Sequence, residues 1–152
     1  MIIKKITTMK IKVLNSSISI PKYETISSAG MDIRAFIPDG DIEIKPRETK
    51  LIPTGLYFEI PMGHEVQIRP RSGLALKNGI TILNSPGTID ADYRGEIKVI
   101  LINHSSNKFI VTNEMRIAQM VVTQFTRVDL IEVSQLSETD RGEGGFGSTG
   151  TS

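Results

Sequence analysis

The chain has no cysteine and no tryptophan, only two histidines, and just 5% aromatic residues in 152 positions. Each shortage excludes something. Without cysteine there is no disulfide framework and no thiolate-bound zinc, which fits a reducing compartment. His64 and His104 stand 40 residues apart, which argues against a histidine-rich metal cage or a Ser–His–Asp triad. Long apolar runs are also missing. No stretch approaches the ~20 apolar residues of a membrane helix. The start, "MIIKKITTMKIKVLN", lacks the apolar core of a signal peptide. A second Met at position 9 precedes "KIKVL", so residues 1–8 read as a short extension. Net charge is +1, with acids and bases interspersed, so no basic stripe is available for a nucleic-acid backbone. The expectation is a cytoplasmic protein with neither nucleic acid nor membrane as partner; a nuclear or viral setting is compatible with the same features.

Helix signals are scarce too. What the chain has instead is strands separated by close-set turn residues, the pattern of an all-β sandwich or barrel. "KIKVL" (10–14) and "DIEIKP" (41–46) alternate. "TKLIPTGLYFEIP" (49–61) is broken by Pro53 and Gly55 and then continues. "HEVQIRP" (64–70) puts Val66 and Ile68 on one face and Glu65, Gln67 and Arg69 on the other. "GEIKVILIN" (95–103) alternates and then turns fully apolar, as a strand buried on both faces would, and "RIAQMVVTQF" (116–125) has the same character. One piece is helical: "SGLALKNG" (72–79), with Ser72 at the N-cap and Gly79 past the end. The length suits one β domain, residues 1–136, followed by an arm, 137–152, in which Ser, Thr, Gly and charge replace the aliphatics. The expected fold is all-β with one short helix and a flexible Gly-rich C-terminal tail.

Four segments look out of place in a plain β fold. "SAGMDIRA" (28–35) is a small-residue turn leading to Asp32. "PRSGLALK" (70–77) places Arg71, Ser72 and Gly73 where a helix begins, and free N–H groups, a hydroxyl and a guanidinium together favour a phosphate oxygen. Ser72 is equally explained as a plain cap. "NSPGTIDADYRGE" (84–96) reads as a β-hairpin in which Asp90 and Asp92 share a strand face. Such a pair can hold a metal or supply a general base, or be ordinary turn residues. In "RIAQMV" (116–121), Gln119 lies in an apolar run and needs partners for its amide, while Arg116 suits a rim or subunit-contact ion pair. The tail "RGEGGFGSTG" (141–150) lacks the Lys and the following helix of a phosphate loop. Its lone Phe146 has nothing to pack on unless something docks.

Taken in order, "AGMDIRA", "PRSGLALK", "GTIDADYRGEI", "RIAQMV" and "RGEGGFGSTG" resemble the five motifs of the homotrimeric dUTPase family. The resemblance runs from about "KIKVL" to the end of the chain. It implies a jelly-roll-like β-barrel or sandwich, a homotrimer with active sites shared between subunits, and Mg²⁺-dependent hydrolysis of dUTP to dUMP and pyrophosphate. It implies that Asp90 activates the attacking water and Gln119 helps to hold it. Asn84 and the segment Gly87, Thr88, Ile89 to Tyr93 would read the uracil, with Tyr93 against the deoxyribose. Arg71, Ser72 and Gly73 would hold phosphates, Asp32 would meet the Mg²⁺ through water, and Lys98 would join the substrate-binding set. From a neighbouring subunit, Arg141, Phe146, Gly147, Ser148 and Thr149 would close over the nucleotide. Two rivals remain. A dCTP deaminase shares the fold and parts of the second and third motifs but lacks this tail. A non-catalytic jelly roll would have lost the water-activating Asp or the tail.

Overall fold

The computed structural model describes residues 7–145. Among them ten strands and one helix follow in chain order. These are β1 (Lys10–Val13), β2 (Met31–Arg34), β3 (Ile42–Ile44), β4 (Thr49–Glu59), β5 (His64–Arg69), α1 (Ser72–Asn78), β6 (Ile80–Ile82), β7 (Gly87–Ile89), β8 (Ile97–Asn103), β9 (Phe109–Val111) and β10 (Arg116–Gln124). No helix among the described residues is long and apolar enough to cross a membrane.

The strands form two antiparallel four-stranded sheets, ordered β1-β4-β8-β6 and β2-β10-β5-β7, with β3-β9 as a small third sheet. Alternation decides which side chains go inward. Val66 and Ile68 of β5 are buried while Arg69 is exposed. Ile33, Ile117 and Met120 join them from the same sheet, and Ile52, Leu56, Val99 and Leu101 come from the other, in one apolar core. This is the jelly-roll sandwich expected of many short strands with frequent turns.

Pro53 and Gly55 interrupt β4, which then continues, as expected. Its register on β8 shifts between Pro53 and Leu56, and Gly55 takes φ 65 there. Such a bulge lets one residue leave the ladder without ending the strand. β8 is not buried on both faces, because Ile100 and Ile102 are half-buried on the outer side while Val99 and Leu101 point into the core. Ser72 is not the N-cap. Arg71 fills that position at φ −91 and ψ 127, because the extended backbone of β5 runs on through Pro70. Ala75 then donates to the Arg71 carbonyl at 3.0 Å, and Gly79 ends the helix at φ 64.

β2, β6 and β9 are further strands; β1 and β3 are as short and alternate visibly, so what fixes these three is pairing with β10, β8 and β3 elsewhere in the chain.

The segment 84–96 is not a simple hairpin. β7 pairs with β5 in one sheet and β8 pairs with β4 and β6 in the other, so residues 90–96 carry the chain between sheets. Residues 70–79 and 83–86 make the same kind of crossing. Two of the four segments that looked out of place, 70–77 and 84–96, therefore lie where the chain changes sheets, while 28–35 and 116–121 carry the paired strands β2 and β10.

Candidate active site

Three adjacent strands bring distant motifs to one end of a sheet. Asp32 on β2 faces Gln119 on β10, and Gln119 in turn faces Arg69 on β5. Pro70 and Arg71 follow directly. The Arg71 Nε donates to Asp32 Oδ1 at 3.0 Å, and its Nη1 donates to the Arg116 carbonyl at 2.9 Å. Arg116 Nη1 lies 3.2 Å from Asp32 Oδ2, and its Nη2 lies 3.7 Å from Glu24 Oε1. One carboxylate thus holds two guanidinium groups, each on a different oxygen. Arg116, expected in a rim or subunit-contact ion pair, pairs with Asp32 and Glu24 in this cluster. No local pattern could have placed it there, because Asp32 lies on another strand.

Gln119 is half-buried, and its Nε2 donates to the Pro70 carbonyl at 3.0 Å, which meets the partner requirement of a buried amide. Ser72 and Gly73 are exposed in the first turn of α1, ahead of the first helical bond. Beside this cluster lies a pocket of about 280 Å³ lined by Asp32, Arg34, Arg116, Lys22 and Glu24 among others.

A second concavity, about 310 Å³, is lined by Thr88, Ile89, Asp90, Tyr93, Glu96 and Lys98 with two aliphatic neighbours. Its wall is a self-supporting turn. Tyr93 N–H donates to the Asp90 carbonyl at 3.2 Å, and the Arg94 guanidinium donates to the carbonyls of Ala91 (2.7 Å) and Tyr93 (2.9 Å). The Tyr93 hydroxyl donates to the Glu96 carbonyl at 3.1 Å. Gly95 lies against the Tyr93 ring, and a Cβ there would displace its hydroxyl end from the Glu96 carbonyl.

Glu96, not singled out in the sequence, ties this turn to the bulge of β4. Its Oε1 accepts from the Gly55 N–H at 2.9 Å, and its Oε2 lies 3.5 Å from Lys98 Nζ. Asn84 does not line this groove; its Nδ2 lies where a Cβ on Gly87 would point, and Gly87 is buried opposite Ile68 on β5. Asp90 and Asp92 do not share a strand face. β7 ends at Ile89, and Asp92 sits within the turn. Among the described residues no three His, Asp or Glu side chains gather as metal ligands.

Within one chain the two clusters stay apart. Ile89 pairs with Val66 on β5, whereas Gln119 pairs with Arg69. From the rise along β5 and two strand spacings, Asp90 and Gln119 lie roughly 16 Å apart, too far for one water to touch both. Arg141 meets neither cluster. It is exposed, and its Nε donates to the Gly144 carbonyl at 2.7 Å. Phe146, Gly147, Ser148 and Thr149 lie outside the described residues.

The dUTPase family model matches residues 16–150. The chain belongs to the dUTPase family. It is 59% identical over 142 residues to a deoxyuridine 5'-triphosphate nucleotidohydrolase of Nautilia profundicola, covering 93% of this chain and 98% of that one. It is 58% identical over 134 residues to the corresponding Rhizobium rhizogenes protein, covering 88% of this chain and 86% of that one. Its fold is similar to the dUTPase of Staphylococcus bacteriophage 80alpha with dUPNHPP, at a TM-score of 0.86 and 25% identity over 96% of this chain and 100% of that one.

Membership of the dUTPase family implies dependence on Mg²⁺. The residues present fit that ion through its water shell. Mg²⁺ retains several waters and takes few carboxylates when a polyphosphate supplies the rest. Asp32, with 22% of its side chain exposed and both oxygens engaged by arginines, suits contact through water rather than direct ligation.

Proposed function

We propose that this dUTPase family member hydrolyses dUTP to dUMP and pyrophosphate in a composite site, with Asp90 as general base and Gln119 of a neighbouring chain holding the same water. One observation supports this reading. Each chain carries two chemically complementary clusters that lie apart from one another within the chain. The Arg71–Asp32–Arg116 cluster offers cations and oriented N–H groups for a triphosphate. The Asp90–Tyr93 groove offers a base, an aromatic wall and backbone polar groups for a nucleoside. The partly exposed apolar face of Leu51, Ile100 and Ile102, of which Leu51 and Ile100 also line the groove, supports association of chains beside the groove.

In this reading the nucleoside enters the groove beside Tyr93. Backbone groups from Gly87 to Tyr93 pair with the uracil edge. Cytosine reverses donors and acceptors at that edge and leaves groups unpaired, at a cost of about 1–3 kcal/mol each. Tyr93 packs against the sugar, while Lys98 lies on the groove beside it. Arg71 and the Ser72 and Gly73 amides hold phosphate oxygens. Mg²⁺, when bound to the triphosphate, would neutralise phosphate charge and help orient the chain for in-line attack. Asp90 accepts a proton from water as its oxygen attacks the α-phosphorus, the bond to the bridging oxygen breaks, and pyrophosphate leaves. Arg141 and the arm residues Phe146, Gly147, Ser148 and Thr149 cover the bound nucleotide from a further chain.

The test is pyrophosphate release from dUTP, dTTP, dCTP and UTP by the purified protein, with ammonia measured for dCTP. Release from dUTP alone is expected. Ammonia from dCTP would make the chain a deaminase, and no product from any nucleotide would make it a binding protein. Tyr93→Ala is expected to admit UTP, because the ring no longer occupies the space of the 2′-hydroxyl. The ratio of kcat/KM for dUTP and UTP should fall by at least about tenfold, a change worth roughly 1.4 kcal/mol. An unchanged ratio would remove Tyr93 from sugar selection.

A further inference from the structure

Gly30 precedes β2 beside the half-buried Gln119, and its backbone gives no reason for glycine. It is not among the glycines with positive φ, unlike Gly55 and Gly79. Its surroundings give one. A Cβ built on Gly30 would stand 2.5 Å from Gln119 Oε1. Its next neighbours, Gln119 Cδ at 3.5 Å and the Met120 carbonyl at 3.6 Å, are ordinary contacts. The only atom in the way is the end of the Gln119 side chain.

The orientation of that side chain is fixed from its other end. Nε2 is a donor and faces the Pro70 carbonyl at 3.0 Å, so Oε1 must point the opposite way, toward Gly30. We propose that Gly30 is a positioning residue for Gln119. The missing side chain leaves the volume that the carboxamide oxygen occupies, and a bond to Pro70 together with an empty Cβ position holds the amide in one rotamer.

This inference rests on the role assigned to Gln119 above. There, the carboxamide helps to hold the attacking water, and holding it off line by an ångström can cost about a hundredfold in rate. A Cβ at Gly30 would push Oε1 by at least about half an ångström, since real Cβ contacts do not fall below 3.0 Å. The amide must then either tilt or give up Pro70. Nothing else has to move, so the loss should appear in catalysis and not in folding.

The test compares Gly30→Ala, Gln119→Ala and the double variant in the full-length protein. Gly30→Ala should melt with the parent and bind dUTP with similar KM, while kcat falls about 10–100-fold. In the Gln119→Ala background the same change should cost nothing further, because the group it displaces is gone. The ¹⁵N side-chain amide resonance of Gln119 should shift in Gly30→Ala, whatever the effect on rate.

Gln119→Ala with full turnover would defeat the role of Gln119, and the resonance would then decide the Gly30 proposal alone. An unmoved resonance would overturn the proposal. So would a loss of turnover that persists undiminished in the Gln119→Ala background, or a Gly30→Ala protein that fails to fold.

Discussion

Asp90→Asn should bind dUTP with near-parental affinity and lose turnover by about 10²–10⁴-fold, the range a positioned general base contributes. The substitution keeps the shape of the side chain and removes only its capacity to accept a proton. Asp90 is exposed at the end of β7, and what joins it to the neighbouring turn is its backbone carbonyl, which accepts from Tyr93. The Tyr93 turn and the groove should therefore survive. Single-turnover kinetics with titrated dUTP separates the two effects. Weakened binding with a normal rate of chemistry would make Asp90 a substrate contact instead of a base.

Removing residues 141–152 should leave melting behaviour unchanged and lower turnover on the order of a hundredfold or more. The first half of that expectation comes from the fold. The last strand ends at Gln124, and the partly buried residue furthest along the chain that packs on the core is Val122. Beyond it Val128, Leu130, Ile131 and Leu136 are all exposed, and so are residues 137–143 of the arm, so neither adds much to the core. The second half comes from chemistry. A charge-assisted bond from Arg141 to phosphate is worth about 1.5–3 kcal/mol, and a cover over the nucleotide excludes water from the reacting phosphorus. Calorimetry and steady-state turnover on the truncated chain check both halves. Full turnover would remove the arm from the reaction.

Much of this was legible in the sequence. Alternation in "HEVQIRP" gave the faces of β5, and Gly79 marked the end of α1. The motif order placed the family. What could not be read has physical reasons. β2, β6 and β9 are fixed by pairing with distant strands and not by a local pattern, so the small-residue turn leading to Asp32 did not show that Asp32 stands on a strand opposite Gln119.

The apolar run of β8 matched a strand buried on both faces, because composition records hydrophobicity and not what covers it. Residues 90–96 carry turn chemistry that suits a hairpin and a sheet crossing equally well, and pairing partners far along the chain decide between them. The two-arginine grip on Asp32 and the tie from Glu96 to Gly55 are long-range contacts with no local signature.

Exposed pairs outside the site behave as surface pairs should. Lys10 bonds Glu59 across β1 and β4 at 2.8 Å and holds its carboxyl below the usual range, and Lys50 does the same for Glu48. Such pairs are screened by solvent and add little to stability.

The central claim is that each chain carries two half-sites that only a neighbour can complete. Co-expression of Asp90→Asn with Gln119→Ala tests it directly. Each variant alone should be nearly inactive. If Asp90 and Gln119 of one site come from different chains, random mixing in a closed ring restores intact sites, up to about a quarter of parental turnover. Turnover no greater than the sum of the two separate variants would contradict the account and place both residues in a site within one chain.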